Sequence, residues 1–218
     1  MILILFSGGV ESTVLLKHFL KNTDELIHVL FTKLGYDDLA KNRVPEQVKA
    51  ATNILEYLKK NYRNFNYSTA ELNLNNITRQ QQAEKGFGFD EQWNIFFASI
   101  YARLHGITDI WIGQFSYVNR QRIEYNLPPL SWFYDGTIEK YALLGTGLDF
   151  NFYKELKINF PSRNFKNQDI DSFNSKKEAF DYLEPDLQKM VRSCEGTEKF
   201  CGKCIKCIQY KDIKFIKD

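Results

Sequence analysis

The sequence predicts one α/β domain built on a parallel β-sheet, with a small element at the C-terminal end. Short apolar runs alternate with amphipathic segments of helical spacing along most of the chain, and this alternation is typical of parallel strands joined by crossover helices. A chain of 218 residues, of which 44% are hydrophobic, can bury one substantial core. We therefore expect an α/β domain over residues 1–192 and an appended element over residues 193–218.

The strongest local pattern is a buried strand that runs into a small-residue turn and a helix. Residues 1–6 are apolar, and residues 7–13 read Ser-Gly-Gly-Val-Glu-Ser-Thr before a helix-compatible segment. Glycines lack the Cβ that keeps an anion away from backbone N–H groups, and the first turn of a helix leaves those groups unpaired. Hydroxyls of Ser7, Ser12 and Thr13 add donors. The turn is predicted to bind phosphate or pyrophosphate; the alternative is a turn without a ligand.

The remaining elements follow from the periodicity of the apolar residues. Predicted strands cover residues 26–31, 65–74, 107–113 and 156–160, and predicted helices cover residues 44–60, 90–105, 137–144 and a segment that begins after Ser175. Ser175 and Glu178 fit a capping box at the start of that last helix. The polar residues 32–43 and 75–88 are predicted to be loops, the second of them a lid over the site.

Ligands of parallel sheets bind outside the carboxyl ends of the strands. This rule brings residues 7–13, the residues after Phe31 and residues 113–119 to one edge. We interpret the polar and aromatic residues 114–129 as a loop, which is either a solvated surface segment or a substrate loop whose arginines meet a carboxylate or phosphate. The residues of this loop that we assign to substrate binding are Gln114, Tyr117, Arg120 and Arg122.

Two adjacent lysines, Lys176 and Lys177, stand in the first turn of the helix that follows Ser175. Cations are mildly unfavourable near a helix N-terminus. Binding to the phosphates of a nucleotide would explain why a lysine occupies this position. The alternative is a pair of ordinary surface side chains.

All four cysteines of the chain lie close together near its C-terminal end. They are Cys194, Cys201, Cys204 and Cys207. Four thiolates at this spacing suit a tetrahedral Zn²⁺ site, and without a histidine or an open position the metal is expected to be structural. An iron–sulfur cluster fits the same spacing, and free or disulfide-bonded thiols are the third interpretation, which a cytosolic setting disfavours.

The bulk properties of the chain do not favour nucleic acid or a membrane as its partner. A formal charge of +2 gives no general reason to bind nucleic acid or a membrane surface. The apolar start of six residues is shorter than a signal peptide or a membrane span. We expect a cytoplasmic protein that acts on small molecules.

The opening turn resembles the Ser-Gly-Gly-x-Asp-Ser loop of the PP-loop ATP pyrophosphatases, with Glu11 where that family has Asp. Together with the four-cysteine tail, this turn makes the chain similar to the QueC family of 7-cyano-7-deazaguanine synthases. Looser matches are Trp93-Asn94 for the family's Arg-Asn pair, residues 110–113 for its Ile-x-x-Gly strand end and Ser175-Lys176-Lys177-Glu178 for its Ser-Lys-x-Glu stretch. After Gly113 the chain departs from the family's Tyr-Pro-Asp-Cys-Arg segment, and the departure concerns the acceptor more than ATP.

This resemblance implies a Rossmann-like fold of the adenine nucleotide alpha hydrolase type, with ATP, Mg²⁺ and Zn²⁺ as cofactors. The deazaguanine carboxylate 7-carboxy-7-deazaguanine would be adenylated and attacked by ammonia to give an amide, which a second ATP would help to dehydrate to a nitrile. The family's precedent is a homodimer. The residues that the resemblance assigns to the nucleotide are Phe6, Ser7, Gly8, Gly9, Val10, Glu11, Ser12, Thr13, Phe31 and Gly113. The catalytic residues would be Ser7, Glu11, Ser12, Lys176 and Lys177. The acceptor would be bound by Trp93, Asn94, Gln114, Tyr117, Arg120 and Arg122.

Three other interpretations stay open at this point. The chain could be a different PP-loop adenylating enzyme, either one that modifies tRNA or a defence-system relative that couples a deazaguanine to a protein. It could be a zinc-ribbon binding module without ATP chemistry. It could also be a nucleotide sensor that has lost turnover. The departures from the family pattern at Glu11 and Trp93 would favour this interpretation.

Overall fold

The computed structural model describes residues 1–36, 43–74, 90–124, 136–165 and 169–192. Its centre is a five-stranded sheet in which all strands are parallel, in the order β3-β2-β1-β4-β5. The strands are β1 (Ile2–Phe6), β2 (Ile27–Tyr36), β3 (Asn66–Leu74), β4 (Asp109–Ile112) and β5 (Lys157–Asn159). Helices flank this sheet, so the prediction of an α/β, Rossmann-like domain is confirmed.

Helices cover both faces of the sheet, because side chains alternate between the faces along each strand. The helices are α1 (Val10–Asn22), α2 (Arg43–Asn61), α3 (Asp90–His105), α4 (Ser116–Glu124), α5 (Thr137–Gly145), α6 (Phe150–Glu155), α7 (Pro161–Asn164), α8 (Lys176–Asp181) and α9 (Pro185–Met190), with a 3-10 turn at Asp169–Ser172. In β1, Ile4 packs in one apolar cluster with α1, α2, α8 and α9, whereas Leu3 and Leu5 pack in another with α3. This two-sided burial explains why the strand reads as an unbroken apolar run.

The prediction of a loop over residues 114–129 is wrong where the structure describes that segment. Residues Ser116–Glu124 form α4. The side chain that caps the start of this helix comes from a residue far away in the sequence. The carboxylate of Asp171 accepts hydrogen bonds from the backbone N–H of Ser116 at 2.7 Å and from its hydroxyl at 2.5 Å. This cap comes from 55 residues away along the chain, so no local pattern in the sequence announces it.

Other predicted elements differ in detail. Strand β2 continues to Tyr36, well past the predicted residues 26–31. The capping box is half confirmed: Ser175 Oγ accepts a hydrogen bond from Glu178 N at 3.2 Å, whereas the Glu178 carboxylate accepts from Asn174 N at 2.8 Å. The predicted lid and all four cysteines lie outside the described residues. Among the described helices, none is long and apolar enough to cross a membrane.

A polar cluster between β2 and α3 makes stability depend on pH. His28 Nε2 lies 2.8 Å from the Tyr101 hydroxyl and 3.1 Å from Ser68 Oγ, and its ring stacks near that of His105. Burial lowers the pKa of His28, and the adjacent His105 lowers it further. The unfolded chain therefore binds a proton at a pH at which folded His28 stays neutral, so stability falls as the pH drops below about 6.5.

We expect the replacement His28→Gln to flatten this acid loss of stability. Urea unfolding of the two proteins at several pH values between about 5 and 8 measures it, and His18, whose pKa burial also lowers, contributes equally to both proteins. Equal slopes of unfolding free energy against pH in the two proteins would show that His28 does not titrate on unfolding.

Candidate functional site

The candidate site lies where the strand order reverses. Strand β1 pairs with β2 on one side and β4 on the other, so the segments that leave the carboxyl ends of β1 and β4 diverge and open a crevice. Gly113, directly after β4, lies against the opening turn: a Cβ built on it would be 2.9 Å from the Glu11 carbonyl carbon and 3.0 Å from Ser12 N. The backbone of Gly113 therefore packs directly against the backbone of the turn.

The turn over residues 7–13 holds its own shape through serine hydroxyls. Ser12 Oγ accepts a hydrogen bond from Ser7 N at 3.2 Å and donates to the Gly9 carbonyl at 3.2 Å. Ser7 Oγ, which is 3.2 Å from Ser12 Oγ, accepts from Gly9 N at 3.4 Å. Gly8 has a φ of +75°, a conformation that a glycine adopts without steric penalty.

Some of the amides in this turn are used by the protein, and others are not. The N–H groups of Ser7 and Gly9 donate to hydroxyls within the turn, and that of Thr13 donates to the Gly9 carbonyl at 3.1 Å. Within the part of the chain that the structure describes, the N–H groups of Gly8, Val10 and Ser12 have no acceptor. These three donors stand at the positive end of the α1 dipole, which suits an anion.

Two neighbouring segments fix the turn from outside. The side-chain amide of Gln47, in the first turns of α2, donates to the Ser7 carbonyl at 3.2 Å. The backbone N–H of Arg192 donates to the Gly8 carbonyl at 3.0 Å, and its guanidinium lies 3.3 Å from Glu46 Oε2. The carbonyl groups of the turn thus accept hydrogen bonds from the protein, whereas several of its N–H groups have no acceptor among the described residues. An anion site requires such N–H groups.

A buried ion pair stands beside the turn. Lys176 Nζ lies 2.8 Å from Glu11 Oε1, and the side chains of Lys176 and Glu11 are 2% and 20% exposed. The Tyr117 hydroxyl donates to the same Glu11 oxygen at 3.3 Å. Because a buried ammonium needs a counter-charge, Glu11 fixes the position of the Lys176 charge beside its own residue in the turn.

The two adjacent lysines have different environments. Lys177 is 52% exposed and pairs with Asp181 one helical turn further along α8. Only Lys176 is brought to the turn, since neighbouring residues of a helix point about 100° apart. The structure therefore supports one of the two lysines as a site residue, and Lys177 is a surface side chain.

The segment that carries Lys176 is anchored by a second polar cluster. Lys17 of α1 lies 3.0 Å from Glu184 Oε1 and donates to the Tyr182 carbonyl at 2.6 Å. Tyr62, which directly follows α2, donates to the same Glu184 oxygen. Burial raises the pKa of Tyr62, as does the bond to Glu184. This cluster ties α1, α2 and the segment between α8 and α9 together, and so fixes α8 relative to the turn.

The other predicted contacts divide by environment. Phe6 and Phe31 are paired across β1 and β2 and are buried in the core, so their side chains serve packing and only their backbone borders the crevice. Arg120 donates to the Phe173 carbonyl at 3.0 Å, which ties α4 to the segment before α8. Gln114 is buried at the end of β4, and Arg122 is half-buried on α4.

Five buried side-chain atoms have no hydrogen-bond partner among the described residues. They are Thr32 Oγ1, Trp93 Nε1, Asn94 Oδ1, Gln121 Oε1 and Glu184 Oε2. Trp93 and Asn94 lie near the start of α3 and were predicted to bind the acceptor. Thr32 and Gln121 were missed. For Gln121 the available signal was its position four residues after Tyr117, on the same face of a helix that was predicted to be a loop.

Comparison of the chain with protein-family models gave no match, and comparison with curated proteins gave none either.

Proposed function

We propose that this chain is a PP-loop adenylating enzyme of the QueC type, which converts 7-carboxy-7-deazaguanine to the nitrile with ATP and ammonia. The observation that carries the proposal is that an anion-binding turn and a buried lysine are neighbours in the structure. An anion-binding turn with amide donors at Gly8, Val10 and Ser12 stands next to the buried cation of Lys176. Their shared position at the switch point of a parallel sheet is where nucleotides bind in such folds.

The turn and Lys176 would bind the polyphosphate of ATP. Phosphate oxygens would accept from the three amides and from the exposed Ser7 hydroxyl, and the Lys176 ammonium would neutralise charge on the departing pyrophosphate. Mg²⁺, which prefers hard oxygens beside phosphate, would supply further charge neutralisation. Glu11 Oε1 is already engaged by Lys176 and Tyr117, so the main task of Glu11 in this proposal is to position the lysine.

The acceptor would lie on the side of β4. Its carboxylate would attack the α-phosphorus of ATP, pyrophosphate would leave, and ammonia would then displace AMP from the acyl group. We assign Asn94, Trp93 and Gln114 to the acceptor, because Asn94 and Trp93 have buried polar atoms without partners in the described chain and Gln114 follows the end of β4. A second ATP would adenylate the amide oxygen with release of pyrophosphate. The oxygen would then leave as part of AMP while the amide nitrogen loses its two protons, which yields the nitrile. We place the reaction in the cytoplasm, with small-molecule substrates and a homodimer by the precedent of the family.

The test is a reaction of the purified protein with ATP, Mg²⁺, ammonia and 7-carboxy-7-deazaguanine. Pyrophosphate release that depends on the acid, together with formation of the nitrile, is the expected result. Release that does not depend on this acid would indicate a different acceptor, as in the tRNA-directed or protein-coupling relatives. ATP binding without any release would favour a nucleotide sensor, and no ATP binding at all would leave a zinc-binding module.

The C-terminal cysteines are proposed to hold a structural Zn²⁺ ion. Cys194, Cys201, Cys204 and Cys207 would bind it as thiolates, and the metal would contribute folding free energy to this end of the chain.

We expect Cys204→Ser to lose zinc and to unfold at a lower temperature, because three thiolates hold the ion less well than four. Metal content by atomic spectroscopy and a thermal melt measure both effects. A Cys204→Ser protein with full zinc content would show that the ligand set is wrong, and iron in the purified wild type would show the same for the metal.

A further inference from the structure

The side-chain oxygen of Gln121 is buried and accepts no hydrogen bond from the described residues. Gln121 is 7% exposed, and Oε1 is the atom without a partner. A buried acceptor without a donor destabilises a fold, because it has lost its bonds to water. Gln188 shows the usual solution in the same protein: its side-chain amide donates to the carbonyls of Phe180 and Leu183 at 3.2 and 2.9 Å.

Gln121 lies on the same buried face of α4 as Tyr117, whose hydroxyl contacts Glu11 of the candidate site. It follows Tyr117 by four residues, so the two side chains lie one above the other on the helix. Tyr117 and Gln121 are the buried residues of α4, and the Tyr117 hydroxyl reaches Glu11 at 3.3 Å. Asp171 fixes the first turn of the helix through Ser116, so the position of Gln121 relative to Glu11 is set by packing and not by a free loop.

The chemistry of the unpartnered atom limits what it can bind. Oε1 is an acceptor only, so it would repel a phosphate or a carboxylate and requires a donor, either N–H or O–H. The other end of the carboxamide offers two N–H groups. A flat edge that carries an N–H next to a C=O matches both ends of the side chain at once, in the way that glutamine reads base edges.

We propose that Gln121 recognises the heterocycle of the acceptor, with Oε1 accepting from a ring N–H and Nε2 donating to the adjacent ring C=O. The assignment rests on the proposed function, since it takes the acceptor to be a ring with a lactam edge, as 7-carboxy-7-deazaguanine is. The unpartnered carboxamide oxygen is kept because the bound substrate completes its hydrogen bonds. A site of this kind strongly rejects analogues that cannot pair with it.

The test compares Gln121→Met with the matched control Gln188→Met. Methionine keeps the length of glutamine and removes its polar atoms, so Gln121→Met is expected to raise the melting temperature by about 2–4 °C and the KM for the acid by about 10–100-fold, with the KM for ATP unchanged. Gln188→Met is expected to lower the melting temperature and leave both KM values unchanged. Gln121→Asn, which withdraws the carboxamide by one methylene, serves as a second variant if Gln121→Met folds poorly.

A substrate analogue methylated at the ring nitrogen makes the readout specific. The wild type is expected to bind this analogue about 10–100-fold more weakly than the acid, by calorimetry without ATP, whereas Gln121→Met binds both alike. Turnover of the acid with an unchanged KM in Gln121→Met would overturn the inference and leave the proposed function intact. Binding of the acid that depends on Gln121, without pyrophosphate release, would overturn the function and leave the inference intact. Failure of the wild type to bind the acid would overturn both.

Discussion

Lys176→Met is expected to lower kcat/KM for ATP by at least about 100-fold, because it removes the positive charge beside the leaving pyrophosphate. The same change leaves the carboxylate of Glu11, which is 20% exposed, without the ammonium at 2.8 Å. Removal of one partner from a buried pair typically destabilises a protein by about 3–5 kcal/mol, and the partial exposure of Glu11 places the expected loss at the lower end, about 3 kcal/mol. Steady-state kinetics and urea unfolding measure the two effects.

The adjacent lysine provides the control. Lys177→Met removes an exposed pair with Asp181, and pairs of this kind contribute about 0–1 kcal/mol. We expect near wild-type values of both kcat/KM and unfolding free energy. The double variant Glu11→Gln/Lys176→Met should recover part of the lost stability without recovering activity, since it removes the carboxylate that has lost the Lys176 ammonium. Comparable losses of activity in the two single lysine variants would remove Lys176 from the proposed site.

Gly113→Ala is expected to displace the anion-binding turn. The new Cβ would meet backbone atoms of Glu11 and Ser12 at 2.9–3.0 Å, and a backbone cannot rotate away as a flexible side chain can. Overpacking of this kind costs about 1–3 kcal/mol. Because the displaced atoms carry the amide donors, we also expect the KM for ATP to rise about tenfold or more, measured by pyrophosphate release.

A second glycine separates backbone strain from displacement of the turn. Gly106, at the C-terminal end of α3, has a φ of +63° and nothing within 4 Å of a built Cβ. Gly106→Ala should therefore lower stability by about 1 kcal/mol through its left-handed conformation alone, with the KM for ATP unchanged. An unaltered KM in Gly113→Ala as well would mean that the turn tolerates the shift and that its position is not critical for the nucleotide.

The fold class could be predicted because the spacing of apolar residues in strands and helices is visible in the sequence without knowledge of tertiary contacts. The apolar run of β1, the glycine turn and α1 follow one another locally, so their arrangement is largely determined by adjacent residues. The α4 helix was missed because the residue that caps Ser116 is Asp171, which only the folded chain brings near. Local patterns carry no record of such a partner.

The candidate site was predicted in composition more than in geometry. Both lysines of α8 had the same prospects in the sequence, and it is the packing of α8 on α1 that turns Lys176 to Glu11 and leaves Lys177 at the surface. Gln121 could not be singled out either, since an unpaired carboxamide oxygen becomes informative only when burial and hydrogen bonds are known. A buried polar atom without a partner can be recognised only in the folded structure.

The bond from Arg192 N to the Gly8 carbonyl couples two parts of the chain that are far apart in sequence. It joins the last described residue before the cysteines to the turn that is proposed to grip the nucleotide. Such a link works in both directions: a ligand that steadies Gly8 also steadies the point from which the tail departs, and a tail held in place favours the ligand-ready turn by the same free energy. Ligand binding at the turn and immobilisation of Arg192 are then expected to favour each other.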